Sequence, residues 1–170
     1  TDLLSLINEL LDLAKIEAGK VDLNVDNIEI THFIKEIEEL FSEIAKDKGI
    51  EFDIQIEATA PKTMISDEYR VQQVLKNFLS NAFNFTDRGG KVSVFVREKN
   101  NELSFEVTDT GKGISKEKQA LIFDAFRQED GSTSRKYGGT GLGLSISREI
   151  AFLLRGRIEL QSELDKGSSF

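Results

Sequence analysis

The sequence has no cysteine and no tryptophan, and it has one proline, one methionine and one histidine among 170 residues. Without cysteine the chain can form neither a disulfide framework nor a thiolate metal site, so its stability must come from an ordinary hydrophobic core. With 39% hydrophobic residues, a chain of this length can bury one such core. We therefore expect a single folded unit from a reducing compartment.

Two further absences concern membranes and nucleic acids. No apolar run approaches the roughly 20 residues that cross a bilayer, and the opening stretch TDLLSLINELL lacks the basic start of a signal peptide. The net charge is −8 and the isoelectric point is near 4.8, whereas a nucleic-acid partner usually requires a basic surface. These observations predict a soluble, cytoplasmic chain with no nucleic-acid partner.

The chain begins with the pattern of an amphipathic helix over residues 3–18, which Gly19 would end. Its apolar residues form two adjacent stripes with helical spacing: Leu3, Ile7, Leu10 and Ala14, and then Leu4, Leu11 and Ala18. A short isolated helix is only marginally stable in water, so this wide apolar face requires a partner surface.

Alternating and helical periods predict the remaining elements. We expect strands at 21–30, 50–56, 92–96, 103–107 and 157–163, and helices at 31–48, 67–85 and 142–154. Thr31 is the expected N-cap of the second helix, and Ser66 or Asp67 that of the third. Turns are expected around the sole proline and at Asn100 and Asn101. The predicted fold class is α+β, a two-layer α/β sandwich whose mixed, mainly antiparallel sheet packs on three main helices.

A run of glycines, Gly138, Gly139, Gly141 and Gly143, lies at the N-terminus of the last predicted helix. Glycine has no Cβ, so this backbone can approach a ligand closely and present successive N–H groups to an anion. A helix N-terminus also favours negative charge through its dipole and its unpaired amides. The run therefore indicates a phosphate-binding loop, and the alternative is a flexible hinge.

Three asparagines, Asn77, Asn81 and Asn84, share one stripe of the third helix because they are four and three residues apart. Asparagine is a mediocre helix former, so three aligned copies cost about 1 kcal/mol relative to better residues. An amide oxygen is a hard, neutral ligand that suits Mg²⁺, which takes few protein ligands beside substrate phosphates. The alternative interpretation of the stripe is a solvated polar face.

Asp109 ends the second strand of the predicted hairpin and is followed by Gly111 and Gly113. A carboxylate beside open backbone can accept a hydrogen bond from an exocyclic amine while a flat ring approaches. On its own, this spacing is also typical of an ordinary turn.

A polar segment without hydrophobic periodicity, residues 128–136, separates the two glycine-containing stretches. A loop of this length without secondary structure is uncommon unless it is a lid or a binding loop. Arg127, Arg135 and Lys136 give the region local positive charge within an acidic chain. Phosphate contact is one interpretation of these cations, and ordinary solvated charge is the other.

Taken together and in their order along the chain, these motifs resemble the catalytic ATP-binding domain of sensor histidine kinases. This domain belongs to the GHKL-type ATPase superfamily, whose fold is the Bergerat fold. NFLSNAFNFT is similar to that family's N box, DTGKGI to its first glycine box, IFDAF to its F box and GGTGLGL to its second glycine box. The sequence of residues 126–151 is most similar to that of the hybrid kinases. The first helix resembles the second helix of the dimerisation and phosphotransfer domain.

The resemblance implies a domain division and partners. Residues 1–19 would be the end of the dimerisation helix, and residues 20–170 the catalytic ATP-binding domain. The implied partners are ATP, a phosphoacceptor histidine domain of the same or a partner subunit, a downstream response-regulator receiver domain, and a second copy bound through helix 3–18. The implied location is cytoplasmic, including the cytoplasmic part of a membrane-anchored receptor.

The resemblance also implies a site for ATP and Mg²⁺. Asn81 would bind Mg²⁺, Asn77 would lie near the same ion and the phosphates, and both would be catalytic residues. Asp109 would accept a hydrogen bond from the exocyclic amine of adenine, and Gly111 and Gly113 would leave room for the adenine ring. The other implied nucleotide contacts are Asn84, Ile114, Phe126, Arg135, Gly139, Thr140, Gly141, Leu142 and Gly143.

The implied reaction is transfer of the γ-phosphoryl group of ATP to a histidine, with the protein mainly positioning the partners. Related ATPases of the superfamily have a glutamate where this chain has Asn77. An amide cannot act as a general base at neutral pH, so we expect slow hydrolysis rather than a hydrolase.

Two departures from the family pattern stand out. Asn84 occupies a position where many members have a lysine or histidine, which leaves open a degenerate nucleotide-binding scaffold or sensing module. The one histidine, His32, is not followed by the acidic residue of the phosphoacceptor motif. We therefore expect the chain to bind ATP and to need an acceptor histidine outside its own sequence.

Overall fold

The computed structural model describes residues 2–125 and 140–170, in which helices and strands are interleaved along the chain. The elements are α1 (Asp2–Glu17), β1 (Val25–Glu29), α2 (Ile30–Lys48), β2 (Glu51–Ile56), β3 (Thr63–Asp67), α3 (Glu68–Phe85), β4 (Lys91–Lys99), β5 (Glu102–Asp109), α4 (Lys116–Gln119), α5 (Gly143–Leu153), β6 (Gln161–Glu163) and β7 (Gly167–Ser169). No helix in these ranges is long and apolar enough to cross a membrane.

The main sheet has five strands in the order β2-β4-β5-β7-β6. Only β2 and β4 pair in parallel, and the other neighbours are antiparallel. A separate antiparallel pair joins β1 to β3. The sheet is therefore mixed and mainly antiparallel, as the sequence predicts.

The core lies between this sheet and the helices α2 and α3. Val92, Val94 and Val96 alternate along β4 and are completely buried. They meet the aromatic and aliphatic side chains of α2 and α3, among which Phe41 and Phe83 stack with ring centroids 5.8 Å apart. The two-layer sandwich is thus confirmed, and α5 packs mainly on α3 and α1.

Local sequence signals fix several boundaries. Asp67 caps α3, since its carboxylate accepts from the Arg70 backbone N–H at 3.0 Å. Gly49 ends α2 in the left-handed conformation with φ +66°. Asn100 and Asn101, with φ values of 54° and 61°, form the tight turn between β4 and β5.

Other boundaries differ from the prediction. Thr31 is not the N-cap of α2: the helix begins at Ile30, after Glu29, which makes no side-chain capping bond. The Ile30 N–H instead bonds to the Lys62 carbonyl at 3.0 Å, and the Ile30 side chain is buried. Contact with the segment before β3 therefore sets this helix start, and β1 is correspondingly shorter than the predicted strand.

Three short segments differ from the prediction. The strand β3 lies where the sequence predicts only a turn, and its partner β1 is distant along the chain. The predicted strand 157–163 is confined to Gln161–Glu163, because β6 pairs with β7 over three residues only. The single-turn helix α4 is not predicted by any periodicity.

The first helix packs against the rest of the chain through one side. Leu13 and Ile16, each 7% exposed, join Leu142, Ile146 and Ile150 in a second apolar cluster. Beside it, the Asp12 carboxylate accepts from Arg70 Nη1 at 2.9 and 3.0 Å and from Gln73 Nε2 at 2.8 Å. Despite partial burial, these bonds hold the pKa of Asp12 below its ordinary value. The helix is therefore attached to α3 and α5 by both apolar and charged contacts.

Candidate functional site

The polar stripe of α3 runs along the helix face opposite its buried residues. Asn77, Asn81 and Asn84 are all half-buried on this face, and Arg70 and Gln73 continue it toward the helix N-terminus. The N-terminal part of the stripe, Arg70 and Gln73, therefore binds α1. The C-terminal part carries the three asparagine amides that the sequence analysis identifies.

Asn77 joins α3 to α5. Its Nδ2 donates to the Ser147 Oγ at 2.8 Å, and Ser147 is buried. A Cβ built on Gly143 would lie 2.3 Å from Asn77 Oδ1, so the amide rests directly on the glycine at the start of α5. The structure thus brings an N-box residue and a residue of the second glycine box into contact.

Substitution of Gly143 by alanine is expected to lower the free energy of unfolding by about 1–3 kcal/mol, because the added methyl group overlaps the Asn77 amide. The measurement is urea denaturation followed by circular dichroism. Gly156→Ala is the matched control, since its Cβ would meet only the Ala151 carbonyl oxygen at an ordinary 3.6 Å. Equal stability of the two variants would contradict the packing role of Gly143.

Asp109 lies at the end of β5 with its carboxylate partly buried. Burial raises the pKa of Asp109, and hydrogen bonds from the backbone N–H groups of Gly111 and Ser168 oppose that rise. The Gly111 N–H lies 2.8 Å from Oδ1. The result is an oriented carboxylate at the end of the central strand that retains capacity to accept further hydrogen bonds.

The glycines after Asp109 allow close packing of backbone on backbone. A Cβ on Gly111 would lie 2.2 Å from the Phe85 carbonyl oxygen, and one on Gly113 would lie 2.0 Å from that of Glu163. Gly113 also has φ +66°, which L side chains rarely adopt. The segment 109–113 is therefore wedged between the end of α3 and the hairpin of β6 and β7.

Two serines complete the surroundings of Asp109. Ser162 Oγ accepts from the Ile114 N–H at 2.8 Å and lies 2.9 Å from Ser168 Oγ. An open cavity of about 380 Å³ adjoins them, lined by Asp109, Gln161, Ser162, Glu163, Lys166, Gly167, Ser168 and Ser169. Sequence reasoning missed these serines because only the pairing of β5, β6 and β7 brings them to Asp109.

The described part of the second glycine box contacts α1. Thr140 Oγ1 donates to the Glu9 carboxylate and accepts from the Leu142 N–H at 3.3 Å. Gly141 has φ +75°, and Leu142 is completely buried in the second apolar cluster. Phe126, Arg135 and Gly139, which the sequence also assigns to the site, lie outside the described residues.

Nothing within residues 2–125 and 140–170 resembles a dense metal centre, since no three histidine, cysteine or acidic side chains converge there. The Asn81 side chain makes no hydrogen bond with other described residues. Mg²⁺ keeps several waters and takes few protein oxygen ligands beside substrate phosphates, and an amide oxygen is a hard ligand that can be one of them. The residues present are therefore compatible with a magnesium ion that a bound ligand helps to hold.

Comparisons with known proteins identify the family of the chain. The family described as histidine kinase-, DNA gyrase B-, and HSP90-like ATPase matches residues 66–170. The chain is 36% identical over 173 residues to the autoinducer 2 sensor kinase/phosphatase LuxQ of Vibrio vulnificus, covering 99% of the chain and 20% of LuxQ. It is 37% identical over 174 residues to the signal transduction histidine-protein kinase BarA of Escherichia coli, covering 99% of the chain and 19% of BarA. The chain thus spans about a fifth of the length of these relatives.

Solved structures show the same fold. The full-length ShkA structure in complex with AMPPNP superposes with a TM-score of 0.87 at 33% identity, covering 99% of this chain and 34% of ShkA. The catalytic domain of the histidine kinase ThkA gives a TM-score of 0.74 at 26% identity, covering 87% of this chain and 93% of the domain. The chain belongs to the histidine kinase-, DNA gyrase B- and HSP90-like ATPase family, and it has the fold of histidine kinase catalytic domains.

Proposed function

We propose that the chain is the Mg-ATP-binding catalytic domain of a hybrid sensor histidine kinase, preceded by the end of its dimerisation helix. In this proposal residues 1–19 belong to that helix and residues 20–170 to the catalytic domain. The observation that carries the proposal is the oriented Asp109 carboxylate, wedged among glycine backbone at one end of the asparagine stripe of α3.

The adenine end of the nucleotide is assigned to Asp109. A partly buried carboxylate can accept from an exocyclic amine, and its two backbone hydrogen bonds hold it in one orientation. The open cavity beside Ser162 and Ser168 gives a planar ring access to this end of β5. Gly111, Gly113 and Ile114 would border the ring, with Phe126 as a further apolar wall.

The phosphate end is assigned to the start of α5 and the amides of α3. The helix N-terminus and the amides of residues 140–143 favour anions, and Asn77 lies against Gly143 at this end. Asn81 would hold Mg²⁺ through its amide oxygen, and Asn84 and Arg135 would add phosphate contacts. When bound, Mg²⁺ supplies positive charge that neutralises the transferring phosphoryl group.

The proposed chemistry transfers the γ-phosphoryl group to a histidine imidazole. The bond from the γ-phosphorus to the bridging oxygen breaks, a phosphorus–nitrogen bond forms, and ADP leaves. The chain's own His32 is exposed on α2 and faces Glu36 at 3.4 Å. We therefore assign the acceptor to a phosphotransfer segment outside this sequence, with a receiver domain of a response regulator as the downstream partner.

A second copy of the chain is the proposed partner of α1. Its outer leucines and isoleucine remain 37–69% exposed: Leu3, Leu4, Ile7, Leu10 and Leu11. Their spacing of three and four residues forms a continuous apolar face of the kind that helices bury against each other.

The histidine kinase ThkA, to which the chain is 25% identical, has been solved in complex with the response regulator protein TrrA. That complex supports a response regulator as the proposed downstream partner.

Isothermal titration calorimetry tests the proposal. We expect Mg-ATP to bind with a dissociation constant in the micromolar range or weaker, with slow phosphate release. Rapid phosphate release would instead favour a hydrolase of the same family, which Asn77 opposes because an amide is no general base. Absence of any nucleotide binding would contradict the proposal.

A further inference from the structure

Lys48, the last residue of α2, reaches the end of the asparagine stripe on α3. Its Nζ donates to the Asn84 Oδ1 at 3.2 Å and to the Phe83 carbonyl oxygen at 3.0 Å. An ammonium group donates only, so it binds the oxygen of the Asn84 amide and not its nitrogen. The Asn84 side chain is therefore held in one orientation, with both N–H donors of Nδ2 turned away from Lys48.

Asn84 and Asn77, at the two ends of the stripe, use different atoms of their amides for hydrogen bonds within the chain. At Asn77 the nitrogen is engaged, because Nδ2 donates to Ser147 at 2.8 Å. At Asn84 the oxygen is engaged by Lys48. The stripe thus presents amide donors at position 84, which suit an anion, rather than an oxygen that suits a metal ion.

The backbone fixes the position of Lys48. Gly49 has φ +66°, its N–H bonds to the Lys46 carbonyl at 3.2 Å, and the Ile50 N–H bonds to the Ala45 carbonyl at 3.0 Å. On the other side, the Gly49 carbonyl accepts from the Gly89 N–H at 2.8 Å. The end of α2 is therefore tied to the loop that follows α3, which keeps the backbone of Lys48 within side-chain reach of Asn84.

The pair lies next to the assigned nucleotide pocket. The Phe85 carbonyl, one residue beyond Asn84, accepts from the Lys112 N–H at 3.3 Å. The same carbonyl is the group that a Cβ on Gly111 would meet at 2.2 Å. Asn84 is thus adjacent to the segment that carries Asp109, along the path from Asp109 to the start of α5.

We propose that Lys48 is a positioning residue for the polyphosphate of the nucleotide: it orients the Asn84 amide so that Nδ2 donates to a phosphate oxygen. The ammonium group also polarises this amide and adds positive charge behind it. Lys48 thereby supplies from α2 the charge that Asn84 itself lacks. This inference rests on the proposed function, because it requires that the pocket bind a nucleotide.

The test compares ATP with adenosine in calorimetric titrations of wild type and Lys48→Met. We expect the dissociation constant for ATP to rise about fivefold, as for loss of one charge-assisted contact. Adenosine, which has no phosphate, is expected to bind equally well to both proteins. Lys46→Met is the matched control, because Lys46 is exposed on the same last turn of α2 and its side chain makes no hydrogen bond or ion pair with other described residues.

A double-mutant cycle shows whether Lys48 acts through Asn84. We expect Lys48→Met to add no further loss of ATP affinity in the background of Asn84→Ala, and Lys48→Arg to retain near-normal affinity. Additive losses, equal loss of ATP and adenosine binding, or unchanged ATP binding by Lys48→Met would overturn the inference. If wild type binds neither ligand, the proposed function itself fails.

Discussion

Asp109→Asn is expected to weaken ATP binding by roughly 30- to 100-fold, which corresponds to about 2–3 kcal/mol for a lost hydrogen bond to a charged group. The amide oxygen can still accept from the Gly111 N–H, so that backbone contact is preserved. Its NH₂ group, however, places donors where the adenine amine requires an acceptor. Calorimetry with Mg-ATP measures the loss.

The pH dependence of the same titration gives an independent check. Burial raises the pKa of Asp109 above its ordinary value of 3.8, so the carboxylate takes up its proton at a higher pH than an exposed aspartate. We expect ATP affinity to begin falling above that ordinary value as the solution is acidified. Folding stability responds in the opposite sense, since a raised folded-state pKa makes this group less destabilising as the pH falls.

Asp22→Asn is the control for both measurements, because Asp22 is exposed and remote in sequence from the pocket. It should leave ATP affinity and its pH dependence unchanged. If Asp109→Asn binds ATP as tightly as this control, Asp109 does not recognise the adenine.

Asn81→Ala is expected to lower the rate of phosphoryl transfer by at least about 100-fold, since the lost Mg²⁺ ligand removes charge stabilisation of the transferring group. Truncation breaks no side-chain hydrogen bond within the described residues. The thermal unfolding midpoint should therefore stay close to that of wild type, which separates catalysis from folding.

The magnesium dependence of binding identifies the cause of that loss. For wild type, ATP affinity should be higher with Mg²⁺ than with EDTA, and Asn81→Ala should abolish the difference. Ser80→Ala, at an exposed neighbouring position, should keep it. A variant of Asn81 that retains the full magnesium effect would assign the ion to another residue.

Much of the fold can be predicted from local patterns. The hairpin of β4 and β5 follows from alternating valines and from Asn100 and Asn101, which readily adopt positive φ. The N-cap at Asp67 follows from residue type and position alone. The strand β3 could not be predicted, because its stability depends on pairing with β1 far away in sequence.

The contacts of the candidate site likewise include some that the sequence predicts and others that depend on distant packing. Motif spacing is sufficient to place Asn77 and Gly143 in one site, but not to show that they touch. Ser168 reaches Asp109 through sheet pairing, and Lys48 reaches Asn84 because α2 and α3 pack side by side. Neither contact leaves a periodic signal in the sequence.

The first helix packs through a side that its sequence pattern does not single out. The two predicted stripes, which include Leu3 and Leu11, remain exposed, whereas Leu13 and Ile16 on another side of the helix pack on α5. The packed side also brings Glu9 to Thr140 of the glycine run. Spacing along one helix cannot reveal which side packs inward, because that depends on where α5 lies.

The most direct test of the central claim is phosphoryl transfer in trans. The chain is mixed with a separately produced phosphotransfer domain of a hybrid sensor kinase and with ATP labelled at the γ-phosphate. We predict Mg²⁺-dependent label on the acceptor histidine, stable to base and lost in acid, and absent with Asn81→Ala. Binding of Mg-ATP without any label on cognate acceptor domains would contradict the claim and identify the chain as a nucleotide-binding scaffold.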